Sequence, residues 1–575
     1  MARIRAIEVS NFRSLKEFKW FPSSGINCMI GPGDSGKSTV LDAIDLCLGA
    51  RRNLQINDAD FHSLDTETPI TISITIGELD DGLKRIGSYG SFLRGFDAVL
   101  QIIEDEPEAG METVLTLRLT VTNDLEPSWA LVSDRAAAAG ISRYLTWADR
   151  VRLAPTRVGA VADYNLSWRR GSVLNRLSEE KADASAALAK AAREARTAFG
   201  ADAGAQLQET LGKVAAVAKS LGVPVGQTVQ AMLDAHSVSF GGGTISLHDE
   251  AGIPLRGLGT GSTRLLVAGL QGEVVDQSSI ILVDELEHGL EPHRLIRFIG
   301  SIGTKEAIPP LQAFVTTHSP VALREFSGDQ LFVLRETAGK HSATRVGSDN
   351  PVQGTIRKYA EAFLAPTVVI CEGASEVGLV RGIDQFRVAS GQTSIGALGV
   401  ALVDCGGGGP NQPFERAAAF HALGYRVAVI RDDDKPPTEA TENAFKAAGG
   451  HVAKWGAGRA LEQELFLSLN EEGATALLAK AIELHGEALV DQHIKSASGG
   501  TVSLLDIQTA TLIDGISVQQ REILGVAAKS KSAAWFKSVS LMEAVALEIV
   551  APNLANSSAE FLAEVNGIFA WAENA

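Results

Sequence analysis

Residues Gly31-Pro32-Gly33-Asp34-Ser35-Gly36-Lys37-Ser38 fit the pattern GxxxxGK[ST]. No other feature restricts the fold so strongly, because such a loop needs a buried strand before it and a helix after it. Both are predicted. Residues 25–30, Gly-Ile-Asn-Cys-Met-Ile, form a short apolar run, and Val40, Leu41, Ile44 and Leu48 recur at helical spacing. Glycine lets backbone N–H groups turn toward a phosphate, and the helix N-terminus adds its own donors. In this reading Gly31, Gly33, Asp34 and Gly36 shape the cradle, with Thr39 beside it. Lys37 reaches the β- and γ-phosphates, and the Ser38 hydroxyl ligates Mg2+.

A site of this kind needs a second half, an apolar strand ending in an acid. Ile280-Ile281-Leu282-Val283-Asp284-Glu285 supplies it. Asp284 is expected to hold Mg2+ through water and Glu285 to polarise the attacking water. About twenty residues earlier, Gly257-Leu258-Gly259-Thr260-Gly261-Ser262 opens a helical pattern with Leu265, Leu266, Ala268 and Leu270. Later, residues 313–320 form a strand that ends at His318. The order of these motifs resembles the ABC ATPases. That resemblance implies ATP as cofactor, a signature loop containing Gly259 and Gly261, and a switch histidine, His318, at the γ-phosphate. The loop departs from the usual LSGGQ, which bears on the speed of turnover more than on binding. Asn11-Phe12-Arg13-Ser14 resembles the N-terminal motif of the SMC and RecF branch, which works on DNA. ATP sandwiched between two such heads implies at least a homodimer. His288 and His293 stand near Glu287 and Glu291, but they fall where ABC proteins place the dimer-contacting D-loop, so no zinc cluster is expected there.

At 575 residues the chain is long enough for several domains. Lys+Arg 52 against Asp+Glu 69 gives −17, which excludes a wholly basic nucleic-acid coat protein but not a local basic face. The acidic excess suits a protein that holds divalent cations. Cys28, Cys47, Cys371 and Cys405 form no CxxC pair, so a reduced, cytoplasmic protein is expected. No apolar signal segment and no run of 18 apolar residues are seen, so no membrane partner is expected. Alternation over residues 4–9, 69–76 and 113–121 predicts strands, the last two as antiparallel ribbons beside the first sheet. Alanine-rich residues 172–238 predict an inserted helical arm suited to dimerisation. The expected division is 1–171, the arm 172–238, 239–365 and 366–575.

A second αβ pattern occupies the last segment. Residues 368–372, Val-Val-Ile-Cys-Glu, bring an acid to a glycine turn, followed by Glu376. Residues 427–434 end a second strand in Arg431-Asp432-Asp433-Asp434. Strand-end carboxylates of a parallel sheet converge at one edge. Oxygen donors of that kind suit octahedral Mg2+ or Mn2+, not zinc. The pattern resembles the Toprim domain, and an ABC ATPase followed by Toprim resembles the OLD (overcoming lysogenisation defect) nuclease family, close to the Gabija antiphage nuclease subunit. The resemblance implies an α/β protein whose C-terminal domain, with helical elaboration, is a metal-dependent DNA endonuclease. By similarity, Glu372 and Glu376 match the first acidic motif, Asp432 and Asp434 the DxD, and Glu462 and Glu464 a later acidic pair. A catalytic lysine comes from residues 529–537, with Lys531 preferred to Lys537 and Lys529 also in the run. The family also allows a helicase partner. Two other readings stand beside this one. One is an ATP-gated DNA clamp of the RecF or SMC kind with an inactive Toprim fold. The other is a Toprim phosphotransferase or primase-like enzyme, against which no zinc-binding or primase module is seen.

Overall fold

The computed structural model describes residues 2–51, 54–159, 163–166, 172–177, 206–226, 228–233, 245–273, 279–337, 339–348, 350–530 and 532–574. About half of the expected helical arm lies outside the described residues, as does Lys531; within its described part Gln208–Leu221 is helical, but Gln230–Leu233 is a strand paired with Ile245–His248. The chain forms two compact units, Met1–Ala360 and Glu361–Ala575. The division lies a few residues before the expected boundary at 365–366.

The first unit is built on one hydrogen-bonded sheet of thirteen strands. Its parallel half runs, in spatial order, Thr156–Val158, Ile280–Val283, Gln312–Thr316, Ile26–Ile30 and Leu331–Thr337. Every residue of Ile26–Ile30 is buried, the pattern of a strand covered on both faces. Full burial of each large apolar side chain there contributes roughly 1.5–3 kcal/mol. Helix Lys37–Leu48 follows the loop and buries Val40, Leu41, Ile44 and Leu48.

The other half continues the same sheet, antiparallel except where Lys340–Arg345 runs parallel to Leu15–Trp20. Lys340–Arg345 pairs with Leu331–Thr337, and the path goes on through Leu15–Trp20, Arg3–Phe12, Ile70–Gly77 and Glu112–Val121. The two alternating segments thus pair with each other, and Ile70–Gly77 pairs with the first strand, so they belong to the main sheet and are not a separate ribbon. Alternation predicts one wet face for Ile70–Gly77, yet Ser73 and Thr75 are buried. Both are satisfied: Arg118 Nε donates to Ser73 Oγ (2.8 Å), and the Thr75 and Thr116 hydroxyls meet at 2.8 Å.

The second unit holds four parallel strands in the order Val400–Asp404, Thr367–Cys371, Arg426–Arg431, His451–Lys454. Thr367–Cys371 leads to a neighbour on one side, and Arg426–Arg431 leads to a neighbour on the other. The order reverses between these two strands, so a crevice opens at their carboxyl ends. Helices Ala374–Ala389, Gln412–Ala422 and Glu439–Ala447 connect the strands. Helices from Leu461–Ser468 to Ala559–Glu573 complete a core that includes Leu461, Leu465, Trp535, Phe536 and Met542. All four cysteines are buried and free. Among the described residues no helix is long and apolar enough to cross a membrane.

Candidate functional site

The loop Gly31–Gly36 leaves the central strand of the first unit and enters the helix at Lys37. Gly36 caps that helix at φ 86°, and a Cβ on Gly31 would stand 2.5 Å from Leu334 O. The fold itself therefore requires glycine at both places. A Cβ on Gly33 would meet nothing, so packing does not explain that glycine. Asp34 also takes a left-handed φ, 57°. Lys37 is buried and donates to Gly31 O (3.1 Å), Pro32 O (2.7 Å) and Ser35 Oγ (3.2 Å). Burial pulls its pKa down to about 8, opposed by Asp34 and Asp284.

The acid strand lies two places away in the sheet and delivers Asp284 to the same loop. Asp284 Oδ1 accepts from Ser38 Oγ (2.9 Å) and from Thr316 Oγ1 (2.7 Å). Glu285 follows at φ 47°, with its N–H on Thr316 Oγ1 (2.8 Å) and its carboxylate exposed. His318, exposed at the end of Gln312–Thr316, gives its backbone N–H to Glu287 Oε1 (2.8 Å). Gly259 caps helix Thr260–Gly272 and Gly261 lies in its first turn. The Asn11–Ser14 turn meets the loop directly: Ser14 Oγ lies 3.0 Å from Thr39 Oγ1, and Arg13 pairs with Asp42 and Asp60.

A second cluster stands at the crevice of the smaller sheet. Glu372 Oε2 accepts the Asp432 N–H (3.0 Å), and Asp432 Oδ1 accepts the Leu461 N–H (2.9 Å). Glu376, fully buried, accepts the Gly373 N–H (2.8 Å). Glu462, also buried, receives Ser375 Oγ (3.3 Å). Burial pushes Asp432 up to about 7, with Glu462 and Glu372 adding to it. Burial also raises Glu372, and it raises Glu376 far above the carboxylate range, with Asp432 and Glu462 reinforcing the latter. Asp434 receives Lys529 Nζ at 2.7 Å, and the same ammonium reaches Gln463 Oε1 at 3.1 Å.

One expected member of this cluster stands differently. Glu464 is turned away, toward Gly456 N (2.9 Å), Arg459 Nη1 (3.3 Å) and the Ser468 hydroxyl. Glu462 and Glu464 are two residues apart, about 200° around a helix, so both cannot face one cation. Lys531 is outside the described residues; among those described, Lys529 reaches Asp434. Asp433, between the paired acids, is held by Arg431 (2.8 Å) and the Gly458 N–H (3.1 Å). Arg431 is itself buried against Glu442 at 2.7 Å, a brace the sequence does not signal. Among the described residues no three His, Cys, Asp or Glu side chains yet converge to hold a metal ion.

Residues 26–324 match the family model described as "AAA domain, putative AbiEii toxin, Type IV TA system". The chain belongs to this AAA_21 family. The AAA_21 match contains Lys37, Asp284, Glu285 and His318, and it ends before the second unit. A stretch of 45 residues is 44% identical to the DNA replication and repair protein RecF of Prosthecochloris aestuarii, and it spans 8% of this chain and 12% of that protein. An SMC head solved with the C-winged helix domain of ScpA is 16% identical, covering 60% of this chain and 97% of its own, with TM-score 0.39. The SMC head domain of Thermotoga maritima is 14% identical over 60% of this chain and 99% of its own, with TM-score 0.30.

The AAA_21 domain is an ATP-binding, ATPase-type domain, and its loop chemistry makes a direct prediction. Lys37→Ala removes the only side-chain cation that the loop itself supplies. Loss of one charged hydrogen bond, about 1.5–3 kcal/mol, should weaken ATP by roughly 10–100-fold. Equilibrium binding of ATP, read beside a thermal melt that shows the variant still folded, checks this.

Proposed function

We propose that the chain is an ATP-regulated, divalent-metal-dependent DNA endonuclease of the OLD type, acting in antiphage defence or DNA processing, with a Toprim-like second unit. One observation carries the reading. Glu372, Glu376, Asp432 and Glu462 crowd the carboxyl ends of two adjacent parallel strands, with Lys529 beside them on Asp434. Crowded carboxylates in a poorly solvated crevice repel one another, and a cation is the natural counter-charge. The donors are all oxygens, which fits Mg2+ or Mn2+. Glu372, Asp432 and Asp434 would hold it, with Glu376 and Glu462 around them, once Glu372 and Asp432 turn from the backbone N–H groups they now accept.

Two divalent ions held by these residues would supply an activated water and stabilise the leaving 3′-oxygen of a phosphodiester. Lys529, which donates to Asp434 at 2.7 Å, would neutralise charge on the phosphate in the transition state. Arg431 fixes the turn by holding Asp433 and the Asp432 carbonyl. In the first unit, Glu285 would orient the water that attacks the γ-phosphate and His318 would contact that phosphate. Signature-loop docking on a second head would make the protein a homodimer, and a helicase could act with it.

A second reading has its own support. The likeness to RecF and the lack of a converged three-ligand group among the described residues favour an ATP-gated DNA clamp. Supercoiled plasmid incubated with the protein, with Mg2+, Mn2+ and ATP varied independently, separates the two. Nicked or linear product that needs metal supports the nuclease. DNA bound in the presence of ATP but never cut supports the clamp.

The repulsion itself is testable without DNA. Glu376 titrates above its unfolded value, so its charging costs stability as the pH rises from about 4.5 through the folded pKa. Glu376→Gln keeps the acceptor for the Gly373 N–H and removes the charge. The metal-free variant should melt above the parent at pH 8, and the gap should close toward pH 4.5 and on adding Mn2+. Calorimetry at the two pH values decides it.

A further inference from the structure

Helix Thr260–Gly272 carries an arginine that the sequence offers no reason to notice. Arg264 is wholly buried, between Thr263 and the core residues Leu265 and Leu266. Among the described residues its guanidinium makes no hydrogen bond to a carboxylate. It donates instead to three main-chain carbonyls: Asp284 (2.7 Å) and Glu285 (2.9 Å) through one nitrogen, and His288 (2.6 Å) through another. A buried cation is costly to keep unless its contacts are needed. These three carbonyls belong to the turn that presents Glu285.

That turn is not a relaxed one. Glu285 sits at φ 47°, a conformation that residues other than glycine adopt when their surroundings impose it. The surroundings grip it from two sides. Strand Gln312–Thr316 holds the Glu285 N–H through Thr316 Oγ1 (2.8 Å) and the Leu286 N–H through Thr316 O (2.8 Å). The helix holds the carbonyls through Arg264. Two more contacts tie the same helix start to the segment just beyond. Arg294 donates to Ser262 Oγ (2.9 Å), and a Cβ on Gly261 would stand 2.0 Å from Gly289 O. The first turn of the helix and the Glu285 turn therefore move together or not at all.

We propose that Arg264 is a positioning residue for ATP hydrolysis: it converts the placement of the glycine loop 257–262 into the orientation of the Glu285 carboxylate. This rests on the reading of Glu285 as the group that orients the attacking water. Displacing the helix start would shift the carbonyls of residues 284, 285 and 288 at once and swing Glu285 off line. Lys37, Ser38 and the loop N–H groups lie on another element, so ATP binding should survive.

Arg264→Ala in the full chain tests this, with melting, binding of a fluorescent ATP analogue, and steady-state ATPase with and without millimolar guanidinium chloride. The expected result is a folded protein that binds the analogue within about threefold of the parent, with kcat down by roughly 30-fold or more and KM little changed. Guanidinium ion should restore part of kcat in Arg264→Ala and none in the parent. Parent-like turnover, or a loss shared by kcat and binding with no rescue, would overturn the proposal. Should Arg264→Ala not fold, Arg264→Lys keeps a buried cation but cannot bridge all three carbonyls. It should lower kcat without weakening ATP, and parent-like kcat there would overturn the proposal. A parent chain that binds ATP without any turnover overturns the hydrolytic reading of Glu285 and this proposal with it, a result distinct from failure of the variants alone.

Discussion

Glu372→Gln is expected to abolish DNA cleavage, by ~10³-fold or more, about 4 kcal/mol of barrier, and to leave ATP turnover unchanged. The substitution is nearly isosteric. Its amide oxygen can still accept the Asp432 N–H now held at 3.0 Å, so the strand ends stay joined. What it removes is one negative charge from the cation site. Glu372 belongs to the unit Glu361–Ala575, whereas Lys37, Asp284 and Glu285 belong to Met1–Ala360. Plasmid nicking in saturating Mg2+ and Mn2+, read beside phosphate release from ATP, checks both halves. Cleavage at the parental rate would remove the carboxylate cluster from the chemistry and leave the clamp reading.

Glu285→Gln should stop ATP hydrolysis while retaining ATP. A positioned general base contributes ~10²–10⁴-fold, and glutamine keeps the shape without the basicity. Asp284 is untouched, with Ser38 and Thr316 still on its Oδ1, and the Glu285 backbone keeps its bonds to Thr316 and Arg264. Single-turnover hydrolysis should therefore slow while equilibrium binding does not. Unchanged hydrolysis would mean that another group orients the water.

Much of this geometry is legible in the sequence, for a physical reason. Phosphate needs backbone donors and glycine turns, so residues 31–38 announce themselves, and an acid at the end of an apolar run announces Asp284, Glu372 and Asp432. Pairings distant in sequence are not legible: nothing local says that Arg3–Phe12 lies between Leu15–Trp20 and Ile70–Gly77. The alternation of Ile70–Gly77 misleads because Ser73 and Thr75 find buried partners. Arg264 is hidden because an arginine among leucines on a helix normally extends its head into water. The contact of Lys529 with Asp434 is not legible either, because Lys529 caps the end of helix Val518–Ala528, where periodicity stops. Helical angle alone does separate Glu462 from Glu464, so that pair was readable in principle.

Of the crevice acids, Glu372 and Asp432 follow strand ends, whereas Glu376 and Glu462 sit buried in the first turns of helices. Each accepts a hydrogen bond there, yet each charge repels its neighbours. A crevice of this kind takes up protons when no cation fills it, and a divalent ion entering it would send them back into solution.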